Sequence, residues 1–175
     1  MARLGLEMAP DCIPADRVLL RELNAAQAAE IAAGQALPYQ KWAAEYPLDG
    51  TTVATGMLVA LAASGAYRPG FGMYQIVDRT NDQVLGDIGF HAAPDESGSV
   101  EIGYGLVSEH RGKGLVTEAV RALAAWAFRQ DDVVELRAET ELDHTASQGV
   151  LRRAGFEEVA IEDGMRCFVL RRPGS

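Results

Sequence analysis

Hydrophobic and polar residues alternate along 17–23 (RVLLREL), the two-residue period of a strand whose side chains point to opposite faces. Residues 25–33 and 51–63 then take a helical period. In the second of these, Val53, Ala54, Met57, Leu58 and Leu61 fall on one face, with Asp49 or Thr51 placed to cap its start. The intervening Leu37–Gly50, which carries Pro38, Trp42 and Pro47, reads as a loop or a short broken helix. From residue 72 the period returns to two: GMYQIVD (72–78), a polar turn RTND (79–82) and QVLGDIGFH (83–91) predict a hairpin. After a second turn, VEIGYGLV (100–107) adds a third strand and makes an antiparallel meander. Gly103 and Gly105 lie inside that strand, where glycine marks a bulge or the close approach of a ligand or another backbone.

A polar loop, SEHRGKG (108–114), leads into a helix at 115–129 with Val116, Ala119, Val120, Leu123 and Ala127 on one stripe. VELRAET (134–140) is a strand. Residues 147–154 are a short helix stopped by Gly155 and carrying Arg152 and Arg153 in its last turn, where cations suit the helix dipole. Short strands at 157–161 and 166–170 follow. The order β-α-α-β-β-β-α-β-α-β-β predicts a mixed α/β sandwich whose one clear parallel pairing is the crossover within 100–140.

Composition narrows the function. A chain of 175 residues suits one domain, 1–175, burying roughly 70% of its unfolded surface without staples or metal. Its formal charge of −9 argues against a nucleic-acid module, which needs a basic face, and favours cationic partners such as amines. Cys12 and Cys167 form neither a CxxC pair nor a disulfide framework, and His91, His110 and His144 are scattered, so no metal site is expected. The apolar run 57–63 is too short to span a bilayer, and the first residues contain no signal-peptide pattern, so a cytoplasmic protein without a membrane partner is expected.

The chemistry concentrates in 100–129. A helix N-terminus offers unsatisfied N–H groups at the positive end of the dipole, and the R-G-K-G before it allows close backbone approach while adding two cations. Together they describe a phosphate or pyrophosphate cradle, although a solvated turn would need no more than these residues. A Walker A loop fails, because Val107 stands where its first glycine is required and Gly114 where Ser or Thr is required. A dinucleotide fingerprint lacks its third glycine, since Thr117 occupies that position.

Arg111-Gly112-Lys113-Gly114-Leu115-Val116 resembles the acyl-CoA motif [Gln/Arg]-x-x-Gly-x-[Gly/Ala] of the GCN5-related N-acetyltransferases (GNAT), on a loop after a strand and opening a helix; Val116 departs from its last position. GDIGFH (86–91) with VEIGYGL (100–106), G-L-V-T-E-A (114–119) and S-x-x-V-L-x-R-x-G-F (147–156) extend the likeness in order and spacing. The set is most similar to the ribosomal-protein-alanine N-acetyltransferase-like branch, with His144 at that branch's Asn position and Arg153 at its Lys position. The likeness covers about 17–170. It implies an α/β fold with a mixed, mostly antiparallel central sheet flanked by helices, whose fourth and fifth strands, here 100–107 and 134–140, are a splayed parallel pair.

The resemblance further implies acetyl-CoA as cofactor and direct transfer of acetyl to a primary amine, either a peptide or protein N-terminus or a small molecule. Backbone groups near 105–108 would pair with pantetheine, and an N–H near Leu106 or Val107 would polarise the thioester carbonyl. The N–H groups of Gly112, Lys113, Gly114, Leu115 and Val116 would hold pyrophosphate, with Arg111 and Lys113 adding charge. Glu101 is the candidate general base, acting through water, or else an outward-facing strand carboxylate. The family's usual tyrosine acid is replaced by Leu151, leaving Ser147 as the candidate acid or as a helix cap. His144 would donate a hydrogen bond to the cofactor or fill space. Asp87 and His91 could contact an amine or be ordinary sheet positions, and Tyr39, Trp42 and Tyr46 are acceptor-pocket candidates. A non-catalytic acyl-CoA-binding regulator and a nucleotide-dependent oxidoreductase are the alternatives, and a homodimer is left open.

Overall fold

The computed structural model describes residues 12–175. Nine strands, β1 (Cys12–Pro14), β2 (Val18–Glu22), β3 (Lys41–Trp42), β4 (Met73–Asp78), β5 (Gln83–Phe90), β6 (Ser99–Leu106), β7 (Glu135–Glu141), β8 (Glu157–Glu162) and β9 (Met165–Arg171), form one sheet. Its order is β1-β2-β4-β5-β6-β7-β9-β8, with β3 added beside β5. Neighbours are antiparallel except β6/β7 and the two-residue β3/β5 pairing. The helices are α1 (Ala25–Ala32), α2 (Asp49–Ala63), α3 (Leu115–Ala127) and α4 (Thr145–Arg153). No described helix is long and apolar enough to cross a membrane.

Local signals account for the element ends. Asn24 Oδ1 accepts from Gln27 N–H at 2.9 Å while Gln27 Oε1 accepts from Asn24 N–H at 3.0 Å, a reciprocal cap worth about 1 kcal/mol that opens α1. Gly155 ends α4 at φ +97°, with Phe156 N–H returning to Leu151 O at 2.9 Å. Two sequence boundaries move. The residue that caps α4 is His144, so the helix begins two residues before Ser147, and α2 is preceded by Leu48 rather than capped by Asp49 or Thr51. The segment before α2 is a loop holding the short strand β3.

Each face of the sheet buries a different set. On one side Val100, Ile102 and Leu106 meet Leu115, Ala119, Val120, Leu123 and Ala127 of α3 in the main core. Phe71, Phe90 and Trp126 pack there with ring centroids 5.1–5.8 Å apart, each pair adding about 0.5–1.5 kcal/mol beyond area burial. On the other side Leu23, Ile31, Leu37, Leu58 and Met73 make a smaller cluster under α1 and α2. The apolar stripe expected on α2 is only half its core face: Leu58 is buried and Ala54 packs against the same cluster, but the inward side also carries two threonines. Thr51, Thr55 and Leu58 are buried, whereas Val53 is 66% and Met57 42% exposed. Polar Thr51 and Thr55 can face inward because each hydroxyl is bonded: Thr55 to Thr51 O at 2.9 Å, and Thr51 to Leu48 N–H at 3.0 Å and to Asp87.

Candidate active site

Strands β6 and β7 pair only from Ser99/Glu135 to Glu101/Arg137 and then separate. The antiparallel ladder with β5 consumes the backbone of alternate β6 residues: Glu101 O accepts from His91 N–H and Val107 N–H donates to Leu85 O, both at 2.9 Å. By that alternation the backbone groups of Ile102, Tyr104 and Leu106 turn toward the widening gap. Leu106 O is taken by Arg111 Nε at 2.8 Å. Of the two donors expected for a thioester carbonyl, Val107 is therefore already spent in the sheet and Leu106 is left.

The gap opens into a groove of about 940 Å³ that runs along β6 to the start of α3. There Gly112 and Gly114 adopt φ +75° and +78°, a left-handed backbone that favours glycine, and Gly114 caps the helix without a side chain. The first N–H of this turn with an acceptor among the described residues is that of Glu118, to Gly114 O at 3.1 Å; those of 112–117 have none. A Cβ at Gly112 would meet nothing within 4 Å. Thr117 Oγ1 and Thr140 Oγ1, both on residues lining the groove, are buried without a partner among the described residues, a state costing about 1–3 kcal/mol each unless a ligand or water pairs with them. A row of free N–H groups at a positive helix end, beside an unpaired strand, suits a long ligand with a pyrophosphate and amides.

A second cavity, about 510 Å³, lies between α2 and the sheet and joins the groove at Gly103–Gly105. Asp87, Gly89 and His91 of the β5 side and Glu101, Gly103 and Gly105 of β6 share one face by strand alternation, with Asp87 opposite Gly105 and Gly89 opposite Gly103. His91 Nδ1 lies 3.2 Å from Glu101 Oε1, and a Cβ at Gly103 would come within 2.9 Å of His91 Nε2. Glycine at 103 is thus what admits the imidazole. Asp87 is 6% exposed, and burial, eased only by the hydrogen bond from Thr51, pushes its carboxyl up to about 6. Tyr46, nearby, has its phenol raised by burial and by Asp87.

Glu101, Leu106, Arg111, Gly112, Gly114, Leu115, Val116, His144 and Ser147 all line the groove. Lys113 does not; its carbonyl accepts from Arg17 Nη1 at 2.8 Å. Ser147 is no helix cap: its Oγ is 2.7 Å from Tyr104 Oη. Leu151 is fully buried. Tyr39 is exposed, while Trp42 and Tyr46 pack edge to face and bond, with Gln40 and Gln75, in a network behind Asp87. Sequence reasoning gave no site role to Tyr104, Thr117, Thr140 or the groove-lining Arg153. Tyr104 lies in the meander, Thr117 in the motif that opens α3 and Arg153 at the family branch's Lys position, so each carried a signal; Thr140 carried none.

The chain belongs to the GNAT acetyltransferases: residues 17–157 match the family model described as an acetyltransferase (GNAT) domain. The uncharacterized N-acetyltransferase YjdG of Bacillus subtilis is 38% identical over 87 residues, 50% of this chain and 52% of that protein. The uncharacterized N-acetyltransferase p20 of Bacillus licheniformis is 33% identical over 85 residues, 49% of this chain and 48% of that one. The chain thus spans about half the length of the curated relatives it matches. In fold it resembles RimL, a ribosomal L7/L12 alpha-N-protein acetyltransferase solved with coenzyme A (TM-score 0.67, 19% identity, covering 94% of this chain and 99% of that one). The splayed parallel pair and mostly antiparallel sheet are those of the GNAT fold.

Proposed function

We propose that this protein transfers acetyl from acetyl-CoA directly to a primary amine, the nitrogen–carbon bond forming as the carbon–sulfur bond breaks. The observation that carries this is the junction at Gly103–Gly105, where an unpaired strand edge meets a separate cavity bearing carboxylate and imidazole groups. The N–H groups of 112–117 hold the pyrophosphate with Arg111 beside them, and Leu106 N–H and the free edge of β6 hold the pantetheine. Arg153 adds a cation to the groove. When bound, acetyl-CoA supplies an acetyl group activated as a thioester.

The Glu101 carboxylate, 3.2 Å from His91 Nδ1, holds the proton on that nitrogen in this reading, so the imidazole presents Nε2 as a base over Gly103. This refines Glu101 from a base to the group that orients one: the proton goes to His91, and the carboxylate stabilises the imidazolium. On the other side of β6 the hydrogen-bonded hydroxyls of Tyr104 and Ser147 hold a proton for the departing sulfur. Burial raises the phenol of Tyr104 and keeps it protonated at neutral pH. Those hydroxyls stand in for the acid that Leu151 cannot be. The acceptor in this reading is an amine of a small molecule or a protein N-terminus, met in the cytoplasm, where free thiols such as Cys12 and Cys167 stay reduced.

Thermal unfolding with saturating acetyl-CoA, NADH and ATP in parallel tests the donor. At about 100 times Kd a ligand adds about 2.7 kcal/mol, so acetyl-CoA alone should raise Tm. Thiol release on adding amines tests the transfer. A rise with NADH alone, or acetyl-CoA binding with no thiol release on any amine, overturns the proposal.

A further inference from the structure

The second cavity contains a charge without a counterion. Asp87 takes one hydrogen bond, from Thr51 to Oδ2; Oδ1 has no partner among the described residues, and no cation forms an ion pair with the carboxylate there. The residue is 6% exposed, and Oδ1, which is not among the fully enclosed unpaired atoms, opens to the cavity, where it can accept from a ligand. Across β6 its register partner is Gly105, and Gly89 faces Gly103 one step along, so here the sheet is bare backbone over which Leu48, the Gly72 carbonyl and the His91 imidazole close in. Asp87 thus stands opposite Gly105 and the His91 imidazole over Gly103, one step along the same face of the strand pair.

The α2 side of the cavity is apolar, whereas Arg111, His144 and Tyr104 line it toward the groove. Val53, Met57 and Leu61 of α2 line it, and Val53 and Met57 are exposed apolar residues that helical periodicity would have sent to the core. Exposed apolar side chains beside an underpaired carboxylate describe a receptor for an ammonium group attached to an apolar substituent. The cavity adjoins the groove, so a nitrogen held at Asp87 lies at the cavity's junction with β6.

We propose that Asp87 seats the ammonium group of the acceptor, and that the acceptor carries an apolar substituent laid against α2 and no carboxylate beside the amine. The proposal rests on the acetyl-transfer reading for the role of that amine, but not for its binding. A free amino acid is disfavoured because its own carboxylate would be brought next to Asp87. A free apolar amine and a peptide N-terminus with an apolar first residue share the required chemistry.

The test uses 3-methylbutylamine, the amide of Leu-Gly-Gly, and leucine, with wild type and Asp87→Asn. Calorimetric binding is measured without acetyl-CoA, and thiol release with it. Wild type should bind the amine or the peptide at least about 10-fold more tightly than leucine, and the better of the two identifies the source. In D87N that binding should weaken and KM rise by about 10- to 100-fold, the effect of losing a charge-assisted hydrogen bond, while acetyl-CoA affinity stays unchanged. D87N binding and KM within twofold of wild type, or leucine bound as well as the amide, overturns the seat. Wild type that binds the amines through Asp87 yet releases no thiol upholds the seat and overturns the transfer.

Discussion

Asp87 should make the protein less stable as pH rises. Its carboxyl titrates near 6 in the folded chain because burial outweighs the single bond from Thr51, against about 3.9 when unfolded. Between those values the folded state binds more protons than the unfolded one, so stability falls with rising pH. The contribution is fully present below pH ~3.9 and lost as pH passes through the folded value; a shift of about two units corresponds to about 3 kcal/mol. The groups facing Asp87 leave this window intact. Tyr46 is neutral throughout, Thr51 and Gln75 do not titrate, and Gly105 has no side chain. His91, His144, Arg111 and Tyr104 line the same cavity, none with an ion pair to Asp87 among the described residues.

Asp87→Asn keeps the shape and the oxygen that accepts from Thr51 but removes the charge. Relative to wild type it should gain stability from pH 4 to pH 7.5 by an amount approaching 3 kcal/mol, or about 6–12 °C in Tm for a chain of this length. Other carboxylates pull the opposite way: Asp78 and Asp132 are held below their ordinary values by hydrogen bonds from Thr80 and Arg68, so they stabilise the fold above pH 4 and release it in acid. Both proteins share that trend, and their difference isolates position 87. Urea unfolding of the pair at half-unit intervals from pH 4 to 8 supplies the measurement. A constant difference across the range would mean that Asp87 is already compensated in the fold, and would remove the physical basis for seating a cation there.

Gly114→Glu places a carboxylate and a strained φ of +78° at the pyrophosphate cradle; acetyl-CoA affinity should fall by more than about 100-fold, and an unchanged Tm shift in a folded variant would dismiss the cradle. Glu101→Gln should lower kcat by about 10- to 100-fold with acetyl-CoA affinity unchanged, because His91 loses the carboxylate beside Nδ1; an unchanged kcat would take the pair out of the reaction. Tyr104→Phe should reduce kcat with little change in acetyl-CoA KM, and more than Ser147→Ala does; equal rates for wild type and the Phe variant would take the hydroxyl pair out of the reaction. Gly103→Val should displace His91 and depress kcat while leaving acetyl-CoA binding intact, read by thiol release and thermal shift together.

What the sequence made legible was whatever depends on neighbours in the chain. Alternation in 72–107 gives the meander, a glycine pair before an apolar stripe gives the cradle and α3, and Gly155 ends α4, all because strand pleat, helix dipole and left-handed backbone are properties of a few consecutive residues. Position across the sheet is different. Glu101, His91 and Asp87 were each visible as polar strand residues, but their shared face depends on the β5–β6 register, which the turn joining those strands sets. Ser147 looked as much like a cap as an acid, and only the packing of α4 over the parting of β6 and β7 brings it to Tyr104.

The clearest divergence is on α2, and it has a physical reason. Periodicity assigns an apolar stripe to the core because burial is the commonest way to satisfy it. Here the core side is shared by Thr51, Thr55 and Leu58; the two hydroxyls find backbone and carboxylate partners, Thr51 bonding to Asp87. Val53 and Met57, at the edge of the expected stripe, line the second cavity instead. One helix–strand pairing therefore sets Asp87 and the apolar α2 residues on the same cavity. Thr51→Val should loosen that pairing, and would be expected to weaken amine binding without touching the α3 cradle; acetyl-CoA affinity measured beside 3-methylbutylamine affinity in this variant separates the two, and a parallel loss of both would contradict the division of the site into independent cavities.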